Sequence, residues 1–361
     1  MFSPRILIVK MSSIGDVVHT LPAVATLRNH YPNAYLAWVV EEKSYNILVG
    51  NPLINELILF ERKKIIRAFK SGHIKEGWKA IQDLKARLRA GNFELSIDLQ
   101  GLARSAFIVY LANARKKLGC PGMRELSYLI SKPPSNSETR NLMSTHAVDR
   151  LLQVIKSLDN HIVPVVEFPI ALNNSATQFA TDFLQQNNIA DSDILIGINL
   201  GASNLLKLWQ KENFVELINR LQDEFKYRVI LFGGKADIPF SDTIISSTKT
   251  EPANAVGKTE LRQLAAIAKR CAVFVSGDSG PIHIATAVGT PVVALFGPSD
   301  PNKTGPYTEK KVVIWKKPEC SPCSYFGQCD FDKICMEQIT VNEVLNAIKD
   351  LITNSVNNIE L

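Results

Sequence analysis

Two segments on opposite halves of the chain most strongly constrain its fold. KMSSIGDVVHTLPA covers residues 10–23, and VFVSGDSGPIHIATAVGTPVVALFGPSDP covers residues 273–301. Each has an apolar run, a short turn that contains glycine, and the start of a helical pattern. This arrangement points backbone N–H groups at an anionic ligand. Two such ends facing one cleft predict a two-domain transferase.

The length of the chain also favours two domains. At 361 residues it exceeds what one ordinary hydrophobic core organises. Its 46% hydrophobic and 21% charged residues are typical of a globular protein in water. No apolar run approaches the roughly 18 residues that cross a bilayer, and the start FSPRILIVKMSSIGD lacks a cleavable signal pattern. We therefore expect a cytoplasmic location.

Positive charge is concentrated in the first half. Residues 1–170 contain 23 Lys and Arg against 14 Asp and Glu, a net of +9, and the remaining residues contain 18 against 21, a net of −3. Such a half suits an anionic partner, such as a phosphorylated glycolipid, an acidic sugar or a nucleic acid; a solvated basic surface is the alternative. A nucleic acid is disfavoured because the basic half lacks interleaved aromatic residues that stack on bases.

Strands alternate with helices along the chain. Apolar runs predict strands at 5–10, 34–40, 95–100, 166–172, 194–200, 228–233, 273–278 and 291–297. Helical patterns include 17–30 and 74–90. Continuous β-branched runs indicate parallel strands covered on both faces. The sequence therefore predicts an α/β protein of two Rossmann-like, doubly wound domains, each binding its ligand at the carboxyl ends of its strands.

We place the first domain at residues 1–170 and the second at 190–340, with the connection between them inside 159–193. Residues 341–361 are predicted to form a C-terminal helix or tail that packs back on the N-terminal domain. No short internal repeat occurs in either half.

The second of the two segments predicts an anion site. Pro281 suits the first position of a helix. The N–H groups near Ser279 and Gly280 would then face a diphosphate, with the helix dipole adding attraction. Asp278 can accept from a ligand hydroxyl or cap the helix, and His283 can donate to a phosphate or pack in the core. Strand-turn-helix structure alone explains part of this motif.

Two further charged residues follow predicted strands. Lys207 lies in the loop after ILIGINL, where it can neutralise a leaving diphosphate or remain a surface lysine. Trp209 can staple the start of the next helix. Asp16 follows the first strand and precedes an apolar helix. It can accept a proton from an attacking hydroxyl or belong to the helix N-cap.

Several motifs together resemble one known family. They are SSIGDVVHTLPA, DLQG at 98–101 with Arg104 and Ser105, HAVDR at 146–150, Lys207 with Trp209, and GDSGPIHIATAVGTPVVALFGPSDP. In this order, and over nearly the whole chain, they resemble the ADP-heptose:lipopolysaccharide heptosyltransferases of glycosyltransferase family 9. The resemblance implies a GT-B architecture, with the acceptor on the N-terminal domain and ADP-heptose on the C-terminal one. It also implies transfer with inversion at the anomeric carbon, without a catalytic metal or other cofactor.

The resemblance also implies roles by position. Asp16 would be the catalytic base. The donor would be held by Ser203, Lys207, Asp237, Thr259, Asp278, Ser279, Gly280 and His283. The spacing around Asp237 departs from the family pattern. An aspartate is a weak base towards an alcohol, so positioning and leaving-group stabilisation are expected to supply more of the catalysis.

The implied acceptor is Kdo2-lipid A, an anionic glycolipid at the cytoplasmic leaflet. Its binding residues are expected to be Ser13, Gly15, Arg62, Lys63, Lys64, Gln100, Arg104 and Arg124. Residues 62–70 form a basic amphipathic stretch that can contact both the acceptor and the membrane, or form only a surface helix. We therefore expect a cytoplasmic protein, peripheral to the inner face of the inner membrane, with no nucleic-acid partner.

Four of the six cysteines cluster near the C terminus. Cys320, Cys323, Cys329 and Cys335 have the spacing C-x2-C-x5-C-x5-C, dense enough for a structural Zn²⁺ in a reducing compartment. A second C-x2-C is missing, so a redox-sensitive thiol cluster and plain packing also remain open. No metal is expected in catalysis.

Other activities remain open. The chain can add a second or later heptose, or use another nucleotide sugar, whereas HAVDR at 146–150 favours addition of the first heptose. From another class, it can be a non-catalytic protein that binds a nucleotide sugar or glycolipid. The presence of both Asp16 and Lys207 argues against that class, because binding alone needs no base.

Overall fold

The strands of this chain form two separate parallel sheets. A computed structural model describes residues 3–134, 144–202, 204–323, 329 and 333–357. The chain divides into two units, Met1–Ala171 and Leu172–Leu361. Each unit carries one sheet, and we describe the units separately.

The described part of the first unit has five strands in the order β3-β2-β1-β4-β5, all parallel. The strands are β1 Arg5–Val9, β2 Tyr35–Glu41, β3 Glu56–Phe60, β4 Leu95–Asp98 and β5 Lys116–Gly119. The helices are α1 Ile14–His30, α2 Glu42–Leu48, α3 Arg62–Lys70, α4 Ile74–Ala90, α5 Ala103–Ala112 and α6 Ala147–Lys156. The central strand β1 is buried beyond its first residue, as its continuous apolar run predicts.

The described part of the second unit has six parallel strands in the order β11-β10-β9-β6-β7-β8. The strands are β6 Leu195–Asn199, β7 Arg228–Phe232, β8 Ala253–Asn254, β9 Val273–Gly277, β10 Val292–Phe296 and β11 Lys311–Trp315. The helices are α7 Asn174–Gln186, α8 Lys211–Asp223, α9 Ile238–Ile245, α10 Leu261–Ala268, α11 Gly280–Ala287, α12 Pro301–Thr304, α13 Ile334–Glu337 and α14 Val341–Asn357. The prediction of two parallel α/β domains is confirmed.

One predicted strand is wrong. Residues 166–172 form no strand, because the backbone here bonds to side chains instead of to a neighbouring strand. Thr26 Oγ1 accepts from the Val165 N–H at 2.9 Å, and the Pro169 carbonyl accepts from Asn51 Nδ2 at 2.7 Å. Pro169 also has no N–H to donate to a ladder.

The C-terminal helix α14 packs in the second unit. The side chains of Val344, Leu345 and Ile348 are at most 1% exposed and belong to the hydrophobic core of the second unit. They pack there because apolar residues recur along one face of the helix. The predicted second domain ended at residue 340, whereas the second unit includes this helix. Within the described ranges, no helix has both the length and the apolar character needed to cross a membrane.

Shortening a buried side chain of α14 should destabilise the fold. Ile348→Ala removes apolar contacts from the core of the second unit, and we expect a loss of about 3 kcal/mol in the free energy of unfolding. Urea denaturation measures this loss. Asn346→Ala, on the exposed face of the same helix, is the matched control and should change the value by less than about 0.5 kcal/mol. Equal effects of the two variants would contradict this packing.

Candidate active site

Asp16 lies in the first turn of α1, just beyond the end of β1. Its Oδ2 accepts hydrogen bonds from the Ser13 N–H at 3.0 Å and from Ser13 Oγ at 2.9 Å. These bonds are part of the capping arrangement at the start of the helix. Gly15 is buried in the same turn, yet the Asp16 side chain is 44% exposed. Capping the helix therefore leaves the carboxylate accessible to a ligand, so the two interpretations of Asp16 are compatible.

Lys10 is a buried cation beside this carboxylate. Its Nζ lies 3.7 Å from Asp16 Oδ1 and donates to the Leu99 carbonyl at 3.0 Å. Its side chain is only 9% exposed. The sequence analysis did not select Lys10, because a lysine at the end of a strand is usually solvated. Its burial places a fixed positive charge at the predicted base.

The buried Asp98 organises the DLQG loop. Its Oδ1 accepts from the N–H groups of Gln100 and Gly101, and its Oδ2 accepts from Ser105 Oγ, all within 3.0 Å. Gly101 has φ +71°, a left-handed conformation that favours glycine. Burial raises the pKa of Asp98, and the hydrogen bonds from Gly101, Ser105 and Gln100 oppose that rise. Asp98 is therefore a structural carboxylate, and its hydrogen bonds hold the DLQG loop in place.

Glu41 draws two predicted acceptor residues together. Its Oε1 lies 3.0 Å from Arg62 Nε and 3.5 Å from Arg104 Nη1. Arg104 Nη2 also donates to Ser12 Oγ at 2.9 Å, and Gln100 Oε1 accepts from the Ser12 N–H at 3.2 Å. Arg62, Gln100 and Arg104 thus lie around the loop that leads to Asp16. The sequence analysis missed Glu41, because an acidic residue is not expected in a site for an anion.

The remaining predicted acceptor residues have fewer contacts with the loop that leads to Asp16. The Arg124 side chain is exposed, and its backbone N–H donates to the Gly101 carbonyl at 2.9 Å. Lys64 is 69% exposed and pairs with Glu61, and Lys63 is exposed. Among the described residues, neither Lys63 nor Lys64 forms an ion pair with the loop before α1.

In the second unit, Lys207 and Asp278 form an ion pair. Lys207 Nζ lies 2.5 Å from Asp278 Oδ2, and the two side chains are 15% and 11% exposed. Ser299 Oγ donates to the same oxygen at 2.5 Å. His283 Nε2 lies 4.0 Å from the other carboxylate oxygen. The structure thus brings Lys207, Asp278 and His283 together, and Ser299, which follows β10, joins them.

The start of α11 is organised from behind by Asn199. Gly280 begins this helix and Ser279 precedes it in an extended conformation. Asn199 Nδ2, at the end of β6, donates to Ser279 Oγ and to Ser276 Oγ, both at 3.1 Å. At Gly277, an added Cβ would meet the Lys207 carbonyl at 3.1 Å. Glycine here allows Lys207 close to the open N–H groups of the helix, a favourable position for an anion.

Asp237 also reaches this edge of the sheet. Its Oδ2 accepts from the Gly234 N–H at 2.7 Å, and a Cβ at Gly201 would lie 2.5 Å from the same oxygen. The loops after β6 and β7 therefore approach closely, which glycine permits. Thr259 follows β8 and is half-buried. Ser203, the other predicted donor residue, lies outside the described residues.

The four C-terminal cysteines are free thiols. Burial raises the pKa of Cys335 to about 11, and the neighbouring Cys323, Cys320 and Cys329 add to the rise. Within the described ranges, no three His, Cys, Asp or Glu side chains are grouped so that they could hold a metal ion. The structure therefore lends no support to a structural zinc site, and it leaves the packing and redox interpretations as they were.

Two parallel α/β units define the class of this protein. Together with the Lys207 site at a helix start, they are typical of a GT-B glycosyltransferase. The sequence model for "Glycosyltransferase family 9 (heptosyltransferase)" matches residues 81–334. The chain belongs to this family, and it is a glycosyltransferase, as the motifs predicted.

Known relatives resemble the chain over most of its length. Lipopolysaccharide core heptosyltransferase OpsX of Haemophilus influenzae is 27% identical over 85% of this chain and 83% of that protein. Lipopolysaccharide heptosyltransferase 3 of Escherichia coli is 29% identical over 83% of this chain and 85% of that protein. The solved structure of E. coli heptosyltransferase WaaC with ADP has a TM-score of 0.72 at 26% identity, over 96% of this chain and 99% of that one. Relatives named heptosyltransferase 1, 2 and 3 all occur, so the comparisons do not separate these types.

Ionisation of Asp98 should make the free energy of unfolding depend on pH, and Asp98→Asn should remove that dependence. Because the pKa of Asp98 is raised in the folded chain, the folded chain binds this proton more tightly than the unfolded chain. Wild-type stability is therefore lost as pH rises through the raised pKa. The free energy of unfolding of Asp98→Asn minus that of wild type should increase from about pH 4 to about pH 7, measured by urea denaturation. Exposed Asp83→Asn is the control, and a difference that stays flat or decreases contradicts this prediction.

Ser299→Ala should weaken binding of ADP. The variant loses one hydrogen bond to Asp278 and leaves Lys207 less well positioned, so affinity should fall roughly five-fold, about 1 kcal/mol. Isothermal titration calorimetry with ADP measures the change. Ser299→Thr keeps the hydroxyl and should bind nearly as wild type does. Wild-type affinity in the alanine variant would show that the Ser299 bond does not position the lysine.

Proposed function

We propose that this chain transfers L-glycero-D-manno-heptose from ADP-heptose to the Kdo of Kdo2-lipid A, in the lipopolysaccharide inner core. Relatives named for lipopolysaccharide core heptosyl transfer support the reaction class, and the similar WaaC structure with ADP supports the donor. The observation that carries the proposal is the exposed Asp16 carboxylate, held at the start of α1 beside the buried Lys10. The proposed reaction inverts the anomeric carbon and uses no metal.

Asp16 acts as the base in this proposal. As the acceptor hydroxyl oxygen forms its bond to the anomeric carbon of the heptose, its proton passes to the Asp16 carboxylate. Ser13 holds Oδ2 through two hydrogen bonds, which orients the carboxylate before the substrate arrives. Lys10 lies beside the other oxygen, Oδ1, and helps to orient the carboxylate. Preorganisation of this kind reduces the reorganisation that the transition state requires.

Lys207 and the start of α11 act on the leaving group. The bond between the anomeric carbon and the ADP oxygen breaks, and its electron pair stays on the diphosphate. Lys207 Nζ pairs with Asp278, close to the open N–H groups of α11. A diphosphate bound there interacts with the positive charge of the lysine and accepts hydrogen bonds from the helix N–H groups. His283 and Asp237 are proposed to contact the donor from the same edge of the sheet. Stabilisation of the leaving group is the larger contribution, because an aspartate is a weak base.

The acceptor is proposed to bind at Arg62, Arg104 and Gln100. The guanidinium groups of Arg62 and Arg104 suit the carboxylates and phosphates of an inner-core glycolipid. The chain is proposed to work in the cytoplasm as a peripheral protein on the inner face of the inner membrane, where such an acceptor is available. Addition of a later heptose is the alternative within this chemistry, because the relatives include heptosyltransferases 2 and 3.

Asp16→Asn should abolish transfer and keep donor binding. The variant retains the shape of the side chain and loses the base, so the rate should fall by roughly 10²- to 10⁴-fold. The assay mixes purified protein with ADP-heptose and Kdo2-lipid A and follows ADP release and product mass. Calorimetry with ADP measures donor binding in parallel. Exposed Asp83→Asn is the matched control and should transfer at the wild-type rate.

The result also separates the alternatives. A product one heptose heavier than Kdo2-lipid A, lost only in Asp16→Asn, supports addition of the first heptose. Transfer only to an already heptosylated core assigns a later step. ADP binding without transfer to either acceptor contradicts the proposed enzyme and favours a non-catalytic binding protein.

A further inference from the structure

The helix pair α3 and α4 presents large apolar side chains to the outside. Ile74 and Trp78 lie one turn apart on α4 and are 56% and 54% exposed. The Phe69 ring of α3 lies edge-on to Trp78, with ring centroids 6.1 Å apart. Phe69 also covers Gly77, where an added Cβ would lie 2.9 Å from the ring. Phe69 therefore joins the two helices, and Trp78 stays on the surface beside it.

The same two helices carry most of the excess positive charge. Residues 62–90 contain ten Lys and Arg against two acidic residues, a net of +8 in a chain whose total is +6. Lys70, Lys75 and Lys79 are exposed and flank the apolar side chains in the sequence. Ile74 and Trp78 are neighbours on one helix and form an exposed apolar patch, which a solvated basic face does not require.

We infer that this surface, formed by Ile66, Ile74 and Trp78 with Lys70, Lys75 and Lys79, seats the first unit on an anionic lipid bilayer. We call it the α3–α4 surface. Lysines attract the anionic headgroups, and tryptophan prefers the boundary between headgroups and acyl chains. Isoleucine adds apolar area that is buried at that boundary. The inference rests on the proposed function in one respect, because a lipid acceptor gives the bilayer contact its purpose.

The chemistry of the α3–α4 surface favours lipid over nucleic acid. Phosphate backbones would satisfy the lysines and would leave the aliphatic side chains without a partner. The position of the surface also suits a lipid-anchored acceptor. Helix α3 begins at Arg62, which pairs with Glu41 beside the loop that leads to Asp16. The surface and the proposed acceptor site therefore lie at connected parts of one unit.

The test is sedimentation of the full chain with vesicles. Wild type should bind vesicles of phosphatidylglycerol and phosphatidylethanolamine, and bind phosphatidylcholine vesicles at least ten-fold more weakly. The double variant Ile74→Ser/Trp78→Ser should lose at least ten-fold in affinity for the anionic vesicles. Val163→Ser/Val166→Ser is the matched control, because these valines are 68% and 50% exposed elsewhere in the same unit, and it should bind as wild type does. Circular dichroism checks that each variant is folded.

Four outcomes would overturn the inference. The first three are equal vesicle binding by the Ile74/Trp78 variant and wild type, equal loss in the valine control, and equal binding of wild type to neutral and anionic vesicles. A single-stranded oligonucleotide that binds the Ile74/Trp78 variant and wild type alike, and displaces wild type from vesicles, would also overturn it and assign the charge to nucleic acid.

An acceptor in two physical forms separates this inference from the proposed function. With Kdo2-lipid A in anionic vesicles, the Ile74/Trp78 variant should transfer at least five-fold more slowly than wild type. With the same acceptor dispersed in detergent, the two should have equal rates. Absence of transfer in every form, together with intact vesicle binding by wild type, would contradict the proposed function and leave the α3–α4 surface supported.

Discussion

Both candidate sites depend on the parallel arrangement of the sheets. Parallel strands end at the same edge, so the loops that follow neighbouring strands meet there even when they are far apart in sequence. In the first unit, Glu41 is the last residue of β2, and Asp16 and Arg104 lie in the first turns of the helices that follow β1 and β4. In the second, the loops after β6 and β10 supply Lys207 and Ser299 on either side of Asp278, which follows the intervening strand β9. Neither site would exist if the strand order followed the chain.

Charged groups placed at such an edge are partly removed from water, and the structure compensates each of them. Asp98 is completely buried and accepts three hydrogen bonds. Lys10 donates to a carbonyl and lies beside a carboxylate. Asp278 receives both a lysine and a hydroxyl on one oxygen. Breaking any of these arrangements leaves a charge that is neither hydrated nor paired, which is the costly case in a protein interior.

The sequence was informative where local patterns determine structure. Continuous apolar runs predicted the central strands. The two strand-turn-helix segments indicated Asp16 and Asp278 as candidate site residues, and the loop after ILIGINL indicated Lys207. Lys10, Glu41 and Ser299 were missed, because each is a common polar residue whose role arises only when the sheet brings distant loops together. Four strands were missed as well. The four residues of β5 and the two residues of β8 contain too little periodicity to identify. Strands β3 and β11 were missed although each contains several apolar residues.

The C-terminal helix also shows that a sequence pattern does not reveal tertiary contacts. An amphipathic pattern at 341–357 predicts that one face is buried, but it does not say which part of the chain covers that face. The tail was expected to return to the N-terminal domain. In the structure, its apolar side chains complete the core around Trp209, whose indole N–H donates to the Ile339 carbonyl just before the helix. The choice of partner is a tertiary property.

Because Lys207 forms an ion pair with Asp278, the lysine already has a partner before any ligand binds. Asp278 is part of the same chain, so its carboxylate occupies this position at a high effective concentration. A small anion that offers a single contact gains little by replacing it. A diphosphate can compensate for the exchange, because it takes helix N–H donors that the carboxylate leaves unused. In the proposed reaction, competition from Asp278 is thus a source of selectivity, and it operates before any sugar is recognised.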